Sequence, residues 1–275
     1  MEQSKSNEIK LLLIYSGFVV LFYLILLFFG ASISVRAILM LFYGIILLAE
    51  KQWHVLRHFF ELKLSHLIYL IPVGLEFAIA IIMRAIITPA SIPVTPTNSL
   101  RTIPLKDILH NIFYQTLLAL NEEFISRFVF FVIFLLVLRL LKVQNLEKKH
   151  PQLFICLSAL TFALMHITTY IGQTNFICTN KQCESWFLSS ALVSAFAIGF
   201  YLNAVFLKTR SLAIITIIHT LINFCRSWFT VLSLGNINAF LISLNFFSLI
   251  YFLSGLIIIR QGFNLKKLEK ISANI

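Results

Sequence analysis

The residues best equipped for chemistry are Glu122 and Glu123, adjacent carboxylates that lead with Arg127 into an apolar run, Phe128 to Leu141, broken only by Arg139. Ionised groups near the centre of a membrane helix cost roughly 2.5–3.5 kcal/mol each on the insertion scale, so they face protein, find partners and carry function. On a helix Glu123 and Arg127 are four apart with the acid first, the favoured order for an ion pair. Glu122 points about 100° away from Glu123. The spacing predicts a structural pair, Glu123–Arg127, and a second carboxylate, Glu122, turned toward a cavity. Two later apolar stretches also carry polar groups at one-turn spacing. Phe162 and His166 share one face, as do His219 and Asn223, and Arg226 extends the second stripe. A lone His or Asn in a membrane helix is commonly an interhelical hydrogen bond worth about 0.6 kcal/mol. Two glutamates, an arginine, two histidines and an asparagine within one bundle demand a common site.

The elements that must position these residues are membrane helices. The chain is 59% hydrophobic and 12% charged, with mean hydropathy +0.92, whereas soluble domains are about 25% charged. The fold class is therefore all-α and polytopic. Eight apolar spans can be drawn, near 11–29, 34–49, 67–87, 118–141, 152–170, 186–206, 212–232 and 239–259. The first follows a polar start, Met1 to Lys10, and ends without a small-residue cleavage site, so it reads as an uncleaved helix. With the N-terminus in the cytoplasm, fifteen Lys and Arg fall on the cytoplasmic side and three in the outer loops. That asymmetry puts both termini inside. It also accounts for the net charge of +11 without nucleic acid, since no soluble segment carries a basic face with interleaved aromatics.

Lys51 to His66, with Trp53, Leu56, Phe59, Phe60 and Leu64 opposite basic residues, reads as an interfacial amphipathic helix. Pro89, Pro93 and Pro96 make Thr88 to Thr102 an extended outer loop. One helix from Asp107 to Leu141 would be about 52 Å long against a 30 Å hydrocarbon core, so a bend or strong tilt is expected before Glu122. Pro151 is placed to open the next helix. No internal repeat or soluble domain interrupts the chain, which reads as a single membrane domain over 1–275.

Glu122-Glu123-x-x-x-Arg127, Phe162-x-x-x-His166 and His219-x-x-x-Asn223 follow one another on successive hydrophobic segments. The ordered triple resembles the three motifs of the CAAX protease and bacteriocin-processing family (CPBP, or Abi, proteins), over a core of about 105–230. The resemblance implies an eight-helix intramembrane endopeptidase acting on a membrane-associated peptide or protein. It implies that Glu122 and His166 activate the attacking water and that His219 and Asn223 stabilise the oxyanion, with Glu123 and Arg127 as a structural ion pair. Two donors at four-residue spacing suit an oxyanion, and a carboxylate out of water suits a general base. No cofactor is required. The rival chemistry is zinc held by Glu122, His166 and His219 with an open position for water. The expected location is a bacterial plasma membrane. The expected task is maturation of a bacteriocin or signal peptide, or self-immunity; a non-catalytic immunity or scaffold protein and a transporter are the alternatives.

Other residues carry lesser expectations. Glu76 and Arg84, two turns apart on one span, are expected to pair within the bundle. Asn203 and Asn245 are expected to bond between helices. Cys156 and Cys225 are expected to pack within spans, and Cys178 and Cys183, in one outer loop, can form a disulfide. Counted as upright rods, His219 lies about 10 Å and His166 about 21 Å from the cytoplasmic face, a gap the helices must close for the two to meet.

Overall fold

The computed structural model describes residues 9–17, 19–21, 38, 41, 44–45, 60–87, 105–141, 150–167, 170–171, 178, 181–233 and 237–263. Among these the chain is helical and contains no strand. After a 3₁₀ stretch, Leu64–Leu70, come α1 (Ile71–Ile87), α2 (Leu105–Glu123), a π-helical segment (Phe124–Val129), α3 (Phe130–Leu140), α4 (Pro151–Met165), α5 (Lys181–Thr209), α6 (Leu212–Ser233) and α7 (Ile237–Arg260). Among the described residues, three helical stretches are long and apolar enough to cross a membrane: Leu64–Ile82, Lys181–Thr209 and Leu241–Arg260. Ile9–Leu21, Pro151–Met165 and Leu212–Arg226 are shorter apolar helices. The expected span 34–49 and the loop 88–102 lie essentially outside the described residues.

The bundle is built around α5. Its most apolar window is 83% buried, against 39% for Leu241–Arg260 and 22% for Leu64–Ile82. The sequence explains this: from Ala191 to Leu207 α5 is apolar on every face apart from Ser194 and Asn203, the mark of a helix enclosed by others, and small residues let neighbours approach. A Cβ added at Gly199 would meet Phe162 Cδ1 at 3.1 Å and Ala159 Cα at 3.2 Å, so α4 packs backbone-close on α5. On the other side, α7 brings Gly255 within 2.7 Å of the Phe200 ring, measured from the same added Cβ.

Buried polar groups hold the helices in register. Ser158 on α4 has its hydroxyl 2.8 Å from the Ser126 carbonyl and 3.1 Å from Asn203 Oδ1 on α5, and Asn203 Nδ2 donates to the Ile155 carbonyl at 3.5 Å. Asn245 Nδ2 donates to Ser190 Oγ at 3.0 Å, so both asparagines bond between helices. Pro151 opens α4 as its fixed φ favours. Cys225 is buried, whereas Cys156 faces outward, correcting its reading as a packing residue. Cys178 and Cys183 are joined in a disulfide with Cα atoms 5.4 Å apart.

Two expectations change. The amphipathic helix does not reach His66: residues 61–63 are non-helical and Leu64–Leu70 is 3₁₀, with His66 Nδ1 accepting from the Lys63 backbone N–H at 3.4 Å; residues 51–59 lie outside the description. No break precedes Glu122. The helix runs on through Glu123, and the irregularity is the π segment that follows. The Arg84 side chain lies outside the description, and Glu76 finds its partners within the bundle as expected. It pairs with Arg226 Nε at 3.0 Å and accepts from the Tyr251 hydroxyl, while Arg226 Nη1 donates to Ser194 Oγ at 2.7 Å.

The turn from α5 to α6 contains an unusual residue. Arg210 has φ +58° and its N–H bonds the Phe206 carbonyl at 2.7 Å, the left-handed C-terminal cap usually given to glycine. A Cβ in that conformation costs roughly 1–2 kcal/mol. The residue is only 2% exposed, and Nε, Nη1 and Nη2 have no hydrogen-bond partner among the described residues. Burial lowers the guanidinium to about 9, so it is charged at neutral pH. The rings of Phe131 and Phe206 lie 5.3 and 5.9 Å from its Cζ. Such contacts return roughly 2 kcal/mol when desolvated, against a penalty of several kcal/mol for withdrawing a charge from water.

Candidate active site

Glu122 and Glu123 close α2 immediately before the π segment, and π segments recur where a helix re-aims side chains at functional sites. Ser126 fixes the turn, its hydroxyl donating to the Glu122 carbonyl and accepting from Arg127 Nη1. Arg127 Nε lies 3.2 Å from Glu123 Oε2, both side chains fully buried, which gives the ion pair the spacing predicted. The Arg127 guanidinium sits over the Phe162 ring, 4.5 Å from its centroid, so α4 covers the pair.

His166 lies at the C-cap of α4. Its Nδ1 is 2.8 Å from the Phe162 carbonyl. A carbonyl only accepts, so Nδ1 carries the hydrogen and Nε2 faces outward, 3.4 Å from Glu122 Oε2. His219 on α6 is held the same way from another helix. Glu123 Oε1 accepts from Nδ1 at 2.7 Å, which turns Nε2 toward Glu122 Oε2 at 3.6 Å. One oxygen of Glu122 thus faces both imidazoles. The Glu122 side chain is 13% exposed and that of His166 19%, but that of His219 only 4%.

The structure therefore brings Glu122, Glu123, Arg127, His166 and His219 together from three segments. The depth gap computed for upright rods does not keep them apart. α4 ends at Met165, the His166 ring turns back onto Phe162, and Glu122 reaches both rings. Asn223 is half-buried one turn beyond His219 and makes no hydrogen bond among the described residues. Two features escaped the sequence. Glu123 serves His219 as well as Arg127, a contact across 96 residues that helix spacing cannot reveal. Phe162 touches not only the His166 ring, as their shared face predicted, but also the His219 ring, with centroids 4.6 and 5.6 Å apart, and Tyr170, four residues past His166, stacks on the His166 ring at 5.7 Å. The i, i+4 spacing of Tyr170 was the available signal. Among the described residues, no three His, Cys, Asp or Glu side chains are grouped as a metal ion would need.

An all-helical, strongly apolar bundle with a carboxylate and two oriented imidazoles buried inside defines a membrane protein with an internal polar site. Residues 104–225, just under half of the chain, are similar to the family model described as type II CAAX prenyl endopeptidase Rce1-like. No curated protein and no solved structure was found to match the chain. The matched stretch holds Glu122, Glu123, Arg127, His166, His219 and Asn223, while Glu76, Arg226 and Tyr251 of the second buried cluster fall outside it.

Proposed function

We propose that the chain is an intramembrane endopeptidase whose nucleophile is a water activated by Glu122. The observation that carries this reading is that Glu122 Oε2 faces Nε2 of both His166 and His219, at 3.4 and 3.6 Å, with each Nδ1 already engaged. In the proposed reaction, water oxygen attacks the scissile carbonyl carbon as its proton passes to Glu122, with His166 orienting the water. The carbonyl oxygen gains the negative charge and is met by Asn223 Nδ2 and by His219 Nε2 when that nitrogen bears a proton. The tetrahedral intermediate then collapses. The C–N bond breaks, the proton held by Glu122 passes to the leaving amine, and a carboxylic acid and a new N-terminus are released. Positioned proton transfer contributes typically 10²–10⁴-fold, and each oxyanion donor about 10²–10³-fold.

The wider reading has eight spans, both termini in the cytoplasm, one domain over 1–275 and residence in a bacterial plasma membrane. The Lys/Arg asymmetry supports it, as does the disulfide in the loop assigned to the oxidising side. The substrate is a membrane-associated peptide or protein, such as a bacteriocin or signal-peptide precursor, and self-immunity is a related task. The test uses purified protein in lipid bilayers with a prenylated CAAX peptide and a set of membrane-anchored peptides. Cleavage lost in Glu122→Gln and His166→Ala, with normal insertion, supports the reading. Immunity or processing that survives both substitutions favours a scaffold, and solute flux that depends on Glu76 favours a transporter. A zinc ion held by Glu122, His166 and His219 predicts loss of activity on chelation; the metal-free mechanism predicts none.

A further inference from the structure

The turn between α5 and α6 holds a buried charge that the candidate active site does not use. Arg210 occupies a conformation better suited to glycine, so the side chain is retained at a cost to the local backbone. It is almost wholly enclosed, and all three guanidinium nitrogens lack partners among the described residues. Buried charges are paired or bind an ion, and two phenylalanine rings do not saturate five N–H donors. An anion is the chemical group that would satisfy these donors.

The surroundings identify its chemistry. Arg210 directly precedes the 22-residue helix α6, where Ser211 Oγ accepts from the Ile214 N–H at 3.3 Å; the remaining first-turn N–H groups and the helix dipole favour a negative group there. A planar guanidinium matches phosphate oxygens two at a time. The turn joins two apolar helices, Lys181–Thr209 and Leu212–Arg226, the kind of connection that a membrane chain makes near a lipid headgroup layer. Lys208, which donates to the Gln261 and Gly262 carbonyls at the end of α7, and the exposed Arg260 add positive charge at the same end.

We propose that Arg210 is a phosphate-binding residue, and that the junction at the start of α6 takes the phosphate of an anionic membrane lipid or a free phosphate ion. The bound anion anchors the helix that carries His219 and Asn223. This site uses no residue of the catalytic cluster and stands whether or not the peptidase reading does.

The full-length protein is purified in dodecyl maltoside, which has no phosphate, and its thermal unfolding is followed in two arms. One adds sodium phosphate against sodium chloride of equal ionic strength. The other adds dioleoyl phosphatidylglycerol against dioleoylglycerol. At tenfold saturation the wild type should gain about 4 °C in at least one arm. A response to inorganic phosphate assigns the site to the free ion as well, and a response to phosphatidylglycerol alone assigns it to the headgroup. Arg210→Gly suits the left-handed backbone and should fold, yet its shift should fall below about 1 °C; Arg210→Lys should keep part of it. No wild-type shift in either arm, or an equal shift in Arg210→Gly, overturns the proposal.

Discussion

Substituting Glu123 by Gln separates two jobs that one side chain performs. In the native protein Oε1 accepts from His219 Nδ1 at 2.7 Å and Oε2 faces Arg127 Nε at 3.2 Å, in surroundings where Glu123 and Arg127 are inaccessible to water. The amide keeps the shape, and its oxygen can still accept from His219. Its NH₂ group then faces Arg127, so a buried guanidinium loses its counter-charge, and breaking a buried pair from one side costs about 3–5 kcal/mol. Weakening a hydrogen bond to a charged acceptor adds at most about 1.5–3 kcal/mol. Removing both charges, in Glu123→Gln with Arg127→Met, should recover most of the first loss, because two uncharged side chains leave no stranded ion. The assay is denaturant unfolding of the detergent-solubilised single and double variants in a double-mutant cycle. We expect a coupling energy of about 2–3 kcal/mol, with the double variant more stable than Glu123→Gln alone. A single substitution that costs under about 1 kcal/mol, or strictly additive losses, would refute the assignment of Glu123 and Arg127 as a mutually dependent buried pair.

Other changes test different contacts. Asn223→Ala should lower kcat about 10²–10³-fold with KM little changed, as expected when an oxyanion donor is removed; steady-state kinetics on the cleaved peptide would show it. Ser158→Ala should cost about 1 kcal/mol, since its hydroxyl meets the Ser126 carbonyl and Asn203 in a dry interior, measured by the same unfolding assay. Cys178→Ser should lose about 2 kcal/mol on the chain-entropy estimate for so short a loop, and labelling with a thiol reagent before and after reduction should show the Cys178 and Cys183 thiols only after it.

The sequence was informative where helix geometry or solvent sets a residue's place. One-turn spacing predicted the Glu123–Arg127 pair, and the cost of charges in apolar runs singled out the cluster before any fold was known. It was silent where helices meet. Nothing in the spacing of α2 indicates that its last glutamate binds an imidazole on α6, or that Glu76 takes Arg226, because those choices depend on how helices rotate against α5. The π segment was likewise invisible: nothing in Phe124 to Val129 marks it off from ordinary helix. Arg210 resisted for a related reason. From sequence it counts as one more basic residue at a membrane face, and its enclosure between Phe131 and Phe206 depends on tertiary packing.

The most direct test of the account is peptide cleavage by Glu122→Gln in lipid bilayers, compared with wild type inserted to the same level. The amide keeps the size of the side chain near His166 and His219 but cannot accept the proton of water. The account predicts a loss of at least about 10²-fold in kcat. Cleavage by the Gln variant at the wild-type rate would contradict it.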